Sequence, residues 1–158
     1  MKAKNFLTIG LLLFVVAAIA TVLLKESAKE TPTDISVKEV TAEAIPENGL
    51  VATFFHGEVR CPTCRTIEQY AHEAIEEGFP EQFAAGEIQW RTMNYETPSN
   101  QHFAEDYEIY SSTVVLVRTL DGKPEQWRNL EEVWNHVNDK ESFSEYVQSE
   151  AKEMLASQ

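Results

Sequence analysis

Two cysteines, set as Cys61-Pro62-Thr63-Cys64, constrain this chain more than anything else in it. They are the only cysteines it has. A structural disulfide framework would show more of them at wider spacing, and closing so short a loop removes little entropy from the unfolded chain. The pair is therefore expected to be chemical rather than structural. Val51 to Phe55, just before it, is a short apolar, aromatic and β-branched run ending at His56-Gly57, the pattern of a buried strand. Pro62 suits the first position of a helix, where its missing N–H costs nothing. Beyond it Ile67, Tyr70, Ala71, Ala74 and Ile75 recur at helical spacing until Gly78 and Pro80 end the helix. The pair thus opens a helix directly after a strand.

The remaining elements follow from the same periodicities. Ile88 to Tyr95 reads as a second strand, and Thr97-Pro98 opens a short helix with Phe103 and Tyr107 as an i, i+4 pair. Thr113 to Val117 is a β-branched strand, Asp121-Gly122 a two-residue hairpin turn, and Gln126 to Arg128 the returning strand. Asn129 with Glu132 has the form of an N-cap and its N3 partner, followed by an apolar stripe of Leu130, Val133, Trp134 and Val137. Asp139 caps a last helix that carries Phe143, Tyr146, Val147, Ala151 and Met154 on one side. Trp90, Trp127 and Trp134 are expected in the core, and Glu73, Glu76 and Glu77 on a solvated helix face. The predicted order is β-α-β-α-β-β-α, with a helix-rich tail.

Ahead of this domain lies a different kind of segment. Residues 6–24, FLTIGLLLFVVAAIATVLL, carry no charge and as a helix would span roughly 28 Å, close to the hydrocarbon thickness of a bilayer. We expect residues 1–25 to be a transmembrane anchor or uncleaved signal. Ala18-Ile19-Ala20 fits the alternative, a cleaved signal peptide, although Val22, Leu23 and Leu24 continue the apolar run past it. Lys2 and Lys4 precede the run, and the sequence after Lys25 turns strongly acidic. The bias in basic residues thus puts the domain on the periplasmic or other extracytoplasmic side. Residues 26–49, rich in Glu, Thr, Lys, Ala and Pro, read as an acidic flexible tether, and the domain is expected over residues 50–158. The 158-residue chain carries a formal charge of −13, which sets nucleic acid aside as a partner.

This element order, with Cys-x-x-Cys at the strand-to-helix junction, resembles the thioredoxin fold over about residues 50–158. The fold class expected is α/β, thioredoxin-like, with a central mixed sheet flanked by helices. Phe54-Phe55-His56-Gly57 followed by Arg60-Cys61-Pro62-Thr63-Cys64-Arg65-Thr66-Ile67-Glu68 looks more specifically like the ArsF family, subunits of a nitrophenyl compound nitroreductase. That resemblance implies a protein disulfide or dithiol partner, with a polytopic membrane thiol-disulfide transporter among the candidates, and no cofactor beyond the disulfide itself. Two positions depart from thioredoxins. Ser112, before Thr113, stands where they carry a cis-proline next to the substrate, and Phe55 stands where they carry a buried acid.

The chemistry expected of the pair follows from its place. A sulfur at a helix N-terminus meets unpaired N–H groups and the positive end of the macrodipole, and Arg60 and Arg65 add charge beside it. Cys61 is the expected nucleophile, and Cys64, one turn in, the resolving thiol. His56 is a candidate proton shuttle, with a polar residue closing a strand as the simpler account; Arg60 and Arg65 have ordinary surface charge as theirs. A dithiol holding a soft metal or metalloid, or a non-catalytic accessory subunit, is the alternative function. Zinc needs about four ligands, and His56, His72, His102 and His136 show no tight spacing to complete a set.

Overall fold

A computed structural model of the protein describes residues 45–156. The expected anchor and all but the last residues of the expected tether lie outside them. Four strands, β1 (Gly49–His56), β2 (Ile88–Asn94), β3 (Thr113–Leu120) and β4 (Lys123–Asn129), form one sheet in the order β2-β1-β3-β4. β1 runs parallel to β2 and antiparallel to β3, and β3 runs antiparallel to β4. Five helices accompany it among the described residues: α1 (Pro62–Gly78), α2 (Pro80–Ala84), α3 (His102–Asp106), α4 (Val133–His136) and α5 (Lys140–Ala156). This is the mixed sheet that the sequence predicts for a thioredoxin-like domain, with one short helix more than expected: Pro80, read as only ending α1, also opens α2.

The central strands are legible in their composition. β1 is buried from Leu50 through Phe55 and β3 from Thr113 through Val117, as strands covered on both faces require. Side chains alternate between two cores. Leu50, Ala52, Phe54, Ile88, Val114 and Leu116 meet the inner stripes of α1 (Ile67, Ala71, Ala74, Ile75) and α5 (Phe143, Val147, Ala151, Met154). Val51, Phe55, Val115 and Val117 face the other way, against Ile109 and the part-buried Phe103, Tyr107, Met93 and Tyr95. The edge strand β4 is exposed over its first half and carries Lys123 and Pro124, which deter further strand pairing.

Several boundaries move from their expected places. The first described residues already belong to the domain. Ile45 packs on the second core, Gly122 donates its N–H to the Glu47 carbonyl at 2.8 Å, and β1 begins at Gly49. Asp121 and Gly122 both adopt positive φ, 50° and 69°, so they form the tight turn and the ladder resumes at Lys123, ahead of Gln126. Asn129 does not cap a helix. The Leu130 N–H pairs with the Val114 carbonyl at 2.8 Å, which carries the β4 ladder onward and postpones helix formation to the single turn of α4. Trp127 is 40% exposed rather than core, because β4 is an edge strand; it stands edge-on to Tyr107. Asp139 does cap the last helix, its Oδ1 accepting from the N–H groups of Glu141 and Ser142 at 3.0 and 3.2 Å.

Candidate active site

Cys61 has extended backbone angles, φ −69° and ψ 158°, and Pro62 begins α1 immediately after it. The N-cap of a helix has this conformation, and its side chain takes up one of the amides the first turn leaves unpaired. Here the acceptor is sulfur: the Cys64 N–H donates to Cys61 Sγ at 3.0 Å. The two cysteines are joined as a disulfide with Cα atoms 5.0 Å apart, a separation suited to the bond. Cys64 is buried in the first core, and Cys61 is partly open to solvent at its edge. One sulfur is thus reachable and the other screened.

A polar lattice holds the loop that delivers Cys61. Glu58 donates its N–H to Glu96 Oε2 at 2.7 Å, Asn94 Nδ2 donates to Glu58 Oε1 at 3.1 Å, and the Glu96 N–H returns to Asn94 Oδ1 at 2.9 Å. His56 ends β1 and its Nδ1 donates to the Gly57 carbonyl at 2.8 Å, while its ring stacks 6.1 Å from that of Phe54. One ring nitrogen of His56 is therefore committed to the turn. Arg60 is ion-paired with Glu68 and lies over the Phe54 ring. Arg65 is exposed on α1.

Ser112 and Thr113 come to the same end of the sheet, since Thr113 stands opposite Phe55 in the β1/β3 ladder. Both are buried. Every peptide bond among the described residues is trans. The Ser112 carbonyl accepts from Trp134 Nε1 at 2.9 Å, and Thr113 Oγ1 donates to Asn129 Oδ1 at 2.7 Å. A hollow of about 270 Å³ lies beside them, lined by Tyr110, Ser111, Thr113, Asn129, Glu131 and Trp134. Tyr110 and Val59 are almost fully exposed, at 87% and 85%.

The strand parity refines one expectation. Phe55 belongs to the second core, on the sheet face away from α1, and Phe54 is the aromatic ring on the cysteine side. No aspartate or glutamate is among the fully buried residues of the described chain. Sequence reasoning also missed Glu68, Asn129 and Glu96 as supports of the site. Glu68 was within reach, lying at i+4 from Cys64 on one helix face; the others depend on contacts across 16 or more residues. Among the described residues no cluster of three or more His, Cys, Asp or Glu is placed to hold a metal, and no helix is long and apolar enough to cross a membrane.

No family model and no curated protein sequence matches the chain. Among solved structures it is similar to a thioredoxin from Thermus thermophilus, at 17% identity over 57% of this chain and 72% of that one, with a TM-score of 0.36. So distant a likeness carries no functional argument.

Proposed function

We propose that this chain is a thiol-disulfide oxidoreductase whose working couple is Cys61 and Cys64. The observation that carries the reading is the Cys64 N–H···Sγ Cys61 hydrogen bond at the start of α1, which places a solvent-reachable sulfur where a helix stabilises negative charge. In the dithiol state the Cys61 thiolate attacks one sulfur of a partner disulfide. A mixed disulfide forms and the partner's other sulfur leaves as a thiolate that takes up a proton. Cys64 then gives up its proton and attacks Cys61 Sγ, forming the internal disulfide and releasing the partner's second thiol. Two electrons pass from this protein to the partner, and the same steps reversed oxidise a partner dithiol.

The uncharged run at residues 6–24 supports a tethered form of this activity, with the domain outside the cytoplasm and a membrane or secreted protein disulfide as substrate. A polytopic thiol-disulfide transporter is a fitting electron partner for such a tether. A reporter active only outside the cytoplasm, fused after residue 158, should be active in cells; a silent but expressed fusion would reverse the orientation. The narrower resemblance to nitrophenyl compound nitroreductase subunits finds no support in the comparisons.

The roles of the two thiols are tested by replacing them singly. With Cys64→Ser the mixed disulfide cannot be resolved and should accumulate on Cys61, visible as a dithiothreitol-sensitive adduct. With Cys61→Ser, little adduct should form, because Cys64 is buried. Equal trapping by both variants would defeat the assignment.

A further inference from the structure

Glu68 has no place in the exchange chemistry just described, yet it lies on the face of α1 that carries the sulfurs: Cys61, Cys64 and Glu68 fall at i, i+3 and i+7. Its carboxylate is ion-paired through Oε2 with Nη2 of Arg60, the residue directly before Cys61. The Arg60 side chain consequently runs alongside the first two turns of the helix. On the way its guanidinium passes over the ring of Phe54, 5.8 Å from the centroid, and Phe54 packs in the same core as Cys64. Thr92 on β2 holds the other end, donating from Oγ1 to Glu68 Oε1 at 3.1 Å. Both charged side chains are about three-quarters buried, 28% and 25% exposed, so solvent screens the pair less than it would at an open surface. Arg60 Nε is buried and has no hydrogen-bond partner among the described residues, so Glu68 occupies only part of the guanidinium's donor set.

We propose that Arg60 and Glu68 set the redox equilibrium of the Cys61–Cys64 couple as an opposed pair, with Glu68 a positioning residue that holds the arginine beside the sulfurs and offsets its charge. The inference rests on the redox reading above. A free positive charge at this place favours the thiolate and hence the reduced form, and a free negative charge favours the disulfide. As a neutral pair the two leave the couple between these limits. Other charged or titratable groups near Cys61 are His56 and Glu58 before it, Arg65 on its own helix, and Glu96 after β2, which binds the Glu58 amide. These stay constant through the variants, so the comparison isolates the pair.

The test is the equilibrium constant for oxidation of the full-length protein's dithiol by glutathione disulfide, which yields the protein disulfide and two glutathione thiols. It is measured at pH 8.5, near the pKa of a free cysteine, for the parent, Glu68→Gln, Arg60→Gln and the double variant. The amide oxygen that replaces the carboxylate can still accept from Arg60, so Glu68→Gln removes charge with little change of shape. The constant should fall about threefold in Glu68→Gln, rise about threefold in Arg60→Gln, and return to near the parent value in the double variant. Loss of a purely structural contact would not shift the two single variants in opposite directions. Shifts of the same sign, or none, in a parent that equilibrates normally would overturn the charge-pair proposal alone. A parent that fails to equilibrate with glutathione would overturn the redox reading and this inference with it.

Discussion

Thr113 Oγ1 donates to Asn129 Oδ1 at 2.7 Å, tying the first residue of β3 to the last of β4 by their side chains. The amide's other end donates to the carbonyls of Tyr107 and Glu108, at 3.2 and 3.1 Å, where Glu108 holds the positive φ of 54° that turns the chain toward β3. One side chain therefore fixes the loop bordering the hollow that Tyr110, Ser111 and Trp134 line. Asn129→Ala should lose about 2 kcal/mol of unfolding free energy in urea, since it takes the donor from two carbonyls and leaves the buried Thr113 hydroxyl only its longer contact with the Leu130 carbonyl, at 3.4 Å. Asn129→Asp should lose more, because it points a carboxylate at two carbonyl oxygens. Equal stability of Asn129→Ala and the parent would show the bridge to be dispensable.

The turn before Cys61 makes a second prediction. A Cβ on Gly57 would lie 2.7 Å from Glu96 Oε1, in the carboxylate that accepts the Glu58 N–H. Gly57→Ala should push the Glu96 side chain away and cost about 1 kcal/mol, the scale of the hydrogen bond lost. In a Glu96→Ala background the clash is gone, so the same substitution should cost much less. Additive losses in the double variant would place the strain elsewhere.

Phe143 tests the packing that holds α1, and with it the pair, on the sheet. Its ring is fully buried between α5 and α1 and meets Tyr70 edge-on with centroids 5.7 Å apart. Phe143→Ala should lower the unfolding free energy by about 3–5 kcal/mol with little change in the m-value. A loss under about 1 kcal/mol would mean that α5 is not a structural partner of α1.

At alkaline pH the limiting group is Tyr146. Burial, then the nearby carboxylates of Glu150 and Glu132, push its phenol up to about 12. Burial likewise raises Tyr107 and Tyr95. A raised phenol keeps its proton in the folded state at a pH where the unfolded chain has released it. The stability is therefore whole below about pH 10, the unfolded value, and lost as pH rises through about 12. Urea midpoints should fall across that window, and Tyr146→Phe should flatten the fall. An identical profile in Tyr146→Phe would assign the alkaline transition to the other tyrosines.

The elements that sequence reveals best here are those whose signal is local. Pro62 and the stripe from Ile67 to Ile75 mark α1 to the residue, and Asp139 marks the start of α5, because caps and periodicity act within a turn or two. Asn129 misleads for the opposite reason. Its sequence context suits an N-cap, but a ladder hydrogen bond from Leu130 to Val114 outcompetes the helix, and that bond spans 16 residues of chain. Trp127 misleads because edge and central strands differ in what surrounds them, not in their own letters. In the site, the sulfurs and their helix are legible from Cys-x-x-Cys with Pro62, whereas the lattice of Glu58, Asn94 and Glu96 exists only once β2 lies beside β1.

The alkylation rate of the reduced protein by iodoacetamide, followed against pH in the Cys64→Ser variant, reports the ionisation of the Cys61 sulfur. The amide at the head of α1 and the helix dipole should bring the Cys61 midpoint at least about one pH unit below the value of about 8.5 for free cysteine. A midpoint at or above that value would mean that the head of α1 does not stabilise the Cys61 thiolate.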